Sequence, residues 1–307
     1  MSAAPETAPP PALPLAEALR QGPLVLDGGL SNQLEAQGCD LGDALWSARL
    51  LADDPRQIER AHRAYLRAGA RVLITAGYQA SYQGFAQRGI GRAEAAALLR
   101  SSVRLARRAA AGQERPIWVA ASVGPYGAML ADGSEYRGRY GLSVAELERF
   151  HRPRIETLAE AEPDVLALET VPDIDEAEAQ LRAVRGCGVP VWLSYSVAGD
   201  TTRAGQPLAE AFALAAADDQ VIAVGVNCCA PRDADQAVRW AAEITGKPVV
   251  VYPNSGERWD EAARGWRGPA TFGPQRVAGW RAAGARLIGG CCRVGPDRIA
   301  EVAQALS

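Results

Sequence analysis

Short apolar runs rich in β-branched residues alternate with amphipathic stretches from Leu24 to the end of this 307-residue chain. That alternation restricts the fold to one built on a parallel sheet. The runs cover 24–28, 72–78, 117–124, 165–170, 189–197, 221–228, 248–254 and 287–291. Helical periodicity between them predicts helices over 58–68, 93–110, 144–161, 174–184, 208–215, 234–243, 274–282 and 296–306. Eight strands with eight helices favour an α/β fold closed as a single (β/α)8 TIM barrel over an open, doubly wound sheet. The Gly28-Gly29 pair lacks the rest of a GxGxxG fingerprint, which weakens any dinucleotide-binding reading.

The chain is longer than a typical domain, but α/β barrels reach this size as one unit. No Gly/Ser linker divides it, so one domain is expected over 15–307, after an Ala/Pro-rich leader at 1–14 expected to be disordered. That leader has neither a basic start nor a long apolar core, and no later stretch suits a membrane span. A cytoplasmic protein, as a monomer or small homo-oligomer, is the expectation. A formal charge of -3 with no basic stripe excludes nucleic acid as a natural partner.

Two scarcities narrow the chemistry. Lys247 is the only lysine and precedes a strand, the wrong end for a Schiff-base amine in a barrel. The only histidines, His62 and His151, fall within helical patterns as surface or packing residues, which leaves almost nothing for a catalytic triad or a His-rich metal site.

Cysteine is where chemistry concentrates. Of six, Cys228 closes the sixth apolar run and Cys291-Cys292 close the eighth, so a barrel brings all three to its C-terminal rim. Three thiolates there suit a catalytic zinc site with its fourth position open to substrate. A disulfide framework is not what a chain of this size calls for. Adjacent residues leaving a strand point differently, so Cys228 rather than Cys229 is the expected ligand. Cys39 and Cys187 follow glycines in connections and read as structural.

These residues belong to a wider pattern: Leu24-Val-Leu-Asp-Gly-Gly-Leu30, Leu45-Trp46-Ser47, Ile74-Thr-Ala-Gly-Tyr-Gln-Ala80, Leu168-Glu169-Thr170, Gly225-Val-Asn-Cys228, Val251-Tyr-Pro-Asn-Ser-Gly-Glu257 and Gly289-Gly-Cys-Cys-Arg293. Together they resemble the homocysteine S-methyltransferase family, especially members using S-methylmethionine or S-adenosylmethionine, over the whole chain after the leader. The resemblance implies one Zn2+ per chain on Cys228, Cys291 and Cys292. It sets Asp27 and the Gly28-Gly29 backbone beside the backbone atoms of L-homocysteine, with Glu169 receiving its ammonium. It also marks Trp46, Tyr78 and Asn227 as substrate-binding residues.

The chemistry that follows is displacement at a methyl group. Zinc deprotonates a thiol that is otherwise mostly protonated at neutral pH, so no protein general base is needed. A thiolate-rich centre attracts cations, which favours a sulfonium donor; Trp46, Tyr78 and Tyr195 are candidates for cation–π contact with it. Long connections at 126–140 and 255–271 follow strands and are positioned to close over the donor. The rivals are betaine- or selenocysteine-type methyl transfer at the same half-site and, from another class, a redox or non-catalytic thiol protein, which would lack the usual CxxC spacing.

Overall fold

A computed structural model describes residues 7–42, 45–260 and 265–307, excluding the side chains of Trp46, 258–260 and 265–266. Eight strands form the barrel: β1 (Leu24–Val25), β2 (Val72–Ile74), β3 (Trp118–Val123), β4 (Val165–Val171), β5 (Val191–Tyr195), β6 (Val221–Asn227), β7 (Val249–Tyr252) and β8 (Ala285–Ile288). They pair in parallel in the order β1-β8-β7-β6-β5-β4-β3-β2. A parallel bridge from Leu26 to Val72 joins the two ends. Beside it, the Asp27 amide donates to the Val72 carbonyl at 3.1 Å and the Arg71 amide to the Val25 carbonyl at 2.8 Å.

The eight outer helices are α1 (Pro55–Arg67), α2 (Arg92–Ala110), α3 (Val144–Ala159), α4 (Ile174–Val184), α5 (Leu208–Ala216), α6 (Pro231–Thr245), α7 (Pro274–Ala282) and α8 (Pro296–Leu306). Their starts carry local signals. Ser143 and Glu146 form a reciprocal capping box ahead of α3, Asp173 caps α4, and α1, α6, α7 and α8 each open on proline, where the missing N–H costs nothing. Most strand ladders are shorter than the apolar runs, which continue past the last ladder hydrogen bond into the rim; β4 instead extends one residue past its run, to Val171, and β8 starts two residues before its run, at Ala285.

Alternation sorts each strand's residues between two cores. Val72, Trp118, Val165, Ala167, Trp192, Ala223, Val250 and Leu287 fill the barrel interior, while the opposite parity packs beneath the helices. A helix at Leu15–Gln21 presses Leu15, Ala18 and Leu19 into the interior cluster. Residues 1–6 of the expected leader lie outside the described residues. Within 7–14, the Ala8 amide donates to the Arg107 carbonyl at 3.2 Å and the Leu13 carbonyl accepts from Trp118 Nε1 at 3.0 Å, so this part of the leader is tied to the barrel.

Lys247 Nζ donates to the Asp218 and Val221 carbonyls, both at 2.9 Å, at the ends of strands away from the cysteine rim. Both histidines are fully buried. Burial drives His62 down to about 4, and His151 sits between Arg154 and Glu176; both are packing residues. Among the described residues no helix is long and apolar enough to cross a membrane.

Candidate metal centre and active site

Strand exits from β6, β7 and β8 build the cysteine cluster. The chain leaving β7 acts as a clamp: the Tyr252 carbonyl accepts from the Cys228 amide at 3.2 Å, and the Pro253 carbonyl accepts from the Cys291 amide at 2.8 Å. Asn254 Oδ1 accepts from the Cys292 amide at 3.1 Å. Cys228 itself adopts φ 48°, a left-handed conformation that non-glycine residues enter at a cost and that clusters at functional sites. Glycines let the β1 exit close in from the other side. A Cβ on Gly29 would lie 2.6 Å from the Cys291 carbonyl oxygen, and one on Gly289 would lie 2.5 Å from Leu26 Cβ.

The result is that the sulfurs of Cys228, Cys291 and Cys292 all fall within 4.8 Å of one another. A tetrahedral zinc–thiolate site with bonds of ~2.3 Å has sulfur–sulfur edges of about 3.8 Å, and the Cys291–Cys292 separation is 4.0 Å. The donor set and the Cys291–Cys292 spacing fit zinc. The sulfurs of Cys228 and Cys291 lie in direct contact, close enough to join as a disulfide on oxidation. The pair is 63 residues apart in sequence and meets because the loops leaving β6 and β8 converge at the site. Metal binding requires the reduced form.

Cys229 is not part of the cluster. Its sulfur is buried in the layer beneath the helices, where burial pushes the thiol up to about 12. Cys187 is held by Val189 and Gln220, and Cys39 packs against the outer core.

Beside the sulfurs lies a cavity of about 320 Å³ lined by Gly28, Gly29, Ser47, Thr75, Tyr78, Tyr136, Glu169, Thr170, Cys228, Tyr252, Cys291 and Cys292. Glu169 is 6% exposed; its Oε1 accepts from Ser122 Oγ and its Oε2 from the Tyr252 hydroxyl at 2.9 Å. Burial raises its carboxyl to about 7, against the opposing pull of those two donors. Asp27 lies behind the wall. Its Oδ2 accepts from the Ile74 amide at 2.9 Å and its Oδ1 is buried without a partner. Burial holds it well above the ordinary carboxyl value, and the charge of Glu169 adds to that shift.

Asn227 is fully buried next to the cavity wall. Its Oδ1 accepts from the Thr170 amide at 2.7 Å and from Ser194 Oγ at 2.8 Å, while Nδ2 donates to Thr170 Oγ1 at 2.7 Å. Its contacts therefore brace Thr170, itself at φ 58°. Trp46 lies in a short 3-10 turn, with its side chain outside the description. Tyr195 corrects an expectation. It points outward from β5, donating its hydroxyl to the Ala211 carbonyl at 2.8 Å and packing on Phe212, so strand parity removes it from any donor contact.

A second cavity, of about 1410 Å³, is lined by Tyr78, Gln79, Glu135, Tyr136, Arg203, Cys228, Asn254, Glu257 and Cys292 among others. It shares Tyr78, Tyr136, Cys228 and Cys292 with the first, so the two meet at the sulfur cluster. The connection at 126–140 contributes a short helix (Tyr126–Leu130) and a 3-10 turn (Ser134–Tyr136), and the one at 255–271 contributes an antiparallel ribbon (Arg258–Asp260 with Gly265–Arg267). Residues 261–264 lie outside the described residues. Asn254, Tyr252, Ser122 and Tyr136 are site residues that pattern reading did not single out; the motif around Tyr252-Pro-Asn254 was the available signal.

A TIM barrel whose C-terminal rim sets three cysteine sulfurs and a buried carboxylate where two cavities meet defines an enzyme with a candidate three-thiolate metal centre. Comparison with known proteins narrows this class. The family model for homocysteine S-methyltransferase matches residues 24–306, and the chain belongs to that family. It is 44% identical to homocysteine S-methyltransferase of Escherichia coli K12, covering 92% of this chain and 94% of that one. It is 46% identical to homocysteine S-methyltransferase 4 of Zea mays, covering 93% and 90%. The metallated form of the homocysteine methyltransferase MmuM from Escherichia coli superposes with TM-score 0.84 at 42% identity, over 94% of this chain and 98% of that one. The same enzyme has also been solved in an oxidised form.

Proposed function

We propose that this enzyme transfers a methyl group from a sulfonium donor to the thiol of L-homocysteine, with one Zn2+ held by Cys228, Cys291 and Cys292. S-methylmethionine is the first choice of donor and S-adenosylmethionine the second. The observation that carries the reading is the meeting of two cavities at the cysteine cluster, where Cys228 and Cys292 line both, one for acceptor and one for donor. Bound zinc supplies the Lewis acidity that turns a thiol into a thiolate at neutral pH.

The protein's own groups bind and orient. Glu169, as a carboxylate, takes the ammonium of homocysteine, and the Gly28-Gly29 backbone with Asp27 behind it flanks the amino-acid end. Asn227 holds Thr170, and through it the wall beside Glu169. Tyr78 and Trp46 are the aromatic partners for the sulfonium cation. The two rim connections line the larger cavity through Glu135, Tyr136, Gly256 and Glu257, and no side chain has to accept a proton from the nucleophile.

The test measures zinc content and methionine formation in the reduced protein, with S-methylmethionine, S-adenosylmethionine or betaine as donor. One zinc per chain and turnover with a sulfonium donor are expected, with both lost in Cys291→Ala. Bound zinc without methionine from any donor overturns the reading. A 41% identical relative is a selenocysteine Se-methyltransferase of Brassica oleracea, so selenocysteine belongs in the assay as a second acceptor. Metal-free protein that cycles a Cys228–Cys291 disulfide, without methyl transfer, would instead establish the redox rival.

A further inference from the structure

The larger cavity holds buried oxygens without hydrogen-bond partners. Gln79 is 7% exposed and its Oε1 is unpartnered, as is Oε2 of Glu135; both residues line this cavity and neither lines the smaller one. Buried acceptors left unpaired cost stability, so their persistence at a cavity wall points to a donor brought by a ligand.

The turn that carries Glu135 is firmly set. Asp132 Oδ1 accepts from the Ser134 amide at 3.0 Å. Gly127 packs so closely that a Cβ there would meet the Glu135 amide nitrogen at 2.3 Å. Next to Glu135, the Tyr136 ring lies under the Arg203 guanidinium at 5.6 Å, and Arg203 is anchored by Nε donating to Ser196 Oγ at 3.3 Å. Tyr136 and Cys292 line this cavity together, which ties this wall to the reaction centre.

A sulfonium group has no N–H and leaves both acceptors unsatisfied. An α-ammonium satisfies them. We infer that the larger cavity recognises the amino-acid end of the methyl donor, with Glu135 and Gln79 accepting from its α-ammonium and Arg203 facing its carboxylate. The inference rests on the sulfonium-donor reading above and names the part of the donor that is selected. The enzyme thus distinguishes sulfonium amino acids from sulfonium carboxylates that lack the amino group.

Calorimetry on the zinc-loaded protein tests this with two probes, S-methylmethionine and 4-(dimethylsulfonio)butanoate, the same molecule without its amino group. Wild type is expected to bind the first about 10-fold or more tighter. Glu135→Gln should erase that preference while leaving the affinity for the deaminated probe and for homocysteine within about two-fold. Arg203→Gln should weaken both probes alike. The inference is overturned if wild type does not discriminate, or if Glu135→Gln weakens both probes equally. Should Glu135→Gln not fold, Gln79→Met provides the same comparison. Methionine formation by wild type separates the two levels: selective binding without methyl transfer upholds the subsite and removes the reaction assigned to it.

Discussion

A carboxyl group that titrates near neutrality on the wall of a substrate cavity would make substrate capture depend on pH, and Glu169, beside the cysteine cluster, is positioned to do so. Its value, raised to about 7 by burial, means the free enzyme holds a proton there below neutrality and presents a carboxylate above it. kcat/KM for homocysteine is therefore expected to fall as pH drops below about 7, and Glu169→Gln should flatten that limb while lowering the plateau; an unchanged limb in the variant would exclude Glu169 as its origin. The same shift has a stability cost of known sign. The folded state binds its proton more tightly than the unfolded chain, so stability is lost as pH rises from 4.5 through about 7. Relative to wild type, ligand-free Glu169→Gln should gain up to about 3 kcal/mol between pH 5 and pH 8 in denaturant unfolding. At this scale the three clustered cysteines were legible because each closes an apolar run, and Cys229 was separable by strand parity. Parity also decided against Tyr195, but the phase of β5 was not evident from a run that is apolar throughout. Asn254 and Ser122 act across strands, on the Cys292 amide and on Glu169, contacts that have no trace in local sequence.

Among elements, the helix at Leu15–Gln21 has an importance its length does not suggest. It lies outside the βα alternation, yet Leu19 is 1% exposed and belongs to the interior cluster with Trp118 and Trp192. Leu19→Ala is expected to cost about 3 kcal/mol of stability by leaving a cavity, while zinc binding at the opposite rim stays within experimental error. Thermal unfolding with a parallel zinc titration checks both, and a loss of zinc affinity would show that plug and rim are coupled. Helix limits were the most readable part of the fold: α4, α7 and α8 begin and end as periodicity indicates, since caps and prolines are local signals. Strand limits were less so. The ladder in β2 stops at Ile74 while the apolar run continues to the rim, where Tyr78 serves the cavity instead of the sheet.

For the molecule as a whole, the count of eight alternations was enough to indicate a closed barrel with its chemistry at one end. It could not reveal that two cavities share a wall of Tyr78, Tyr136, Cys228 and Cys292, because that depends on how connections far apart in sequence settle over the rim. Oxidation state should govern the stability of the entire chain. Zinc at 1,000 times its dissociation constant is expected to stabilise the reduced form by about 4 kcal/mol, and the form with Cys228 joined to Cys291 should show no response; scanning calorimetry with and without a thiol reductant distinguishes them. The clamp formed by the β7 exit on both cysteine loops, with Gly29 pressed against the Cys291 carbonyl, also orders events during synthesis. The first strand's exit, the sixth strand's cysteine and the pair after the eighth must be present together before three sulfurs converge. A nascent chain whose eighth strand is not yet made has no complete ligand set to load, so any metal capture has to wait for the closing of the barrel.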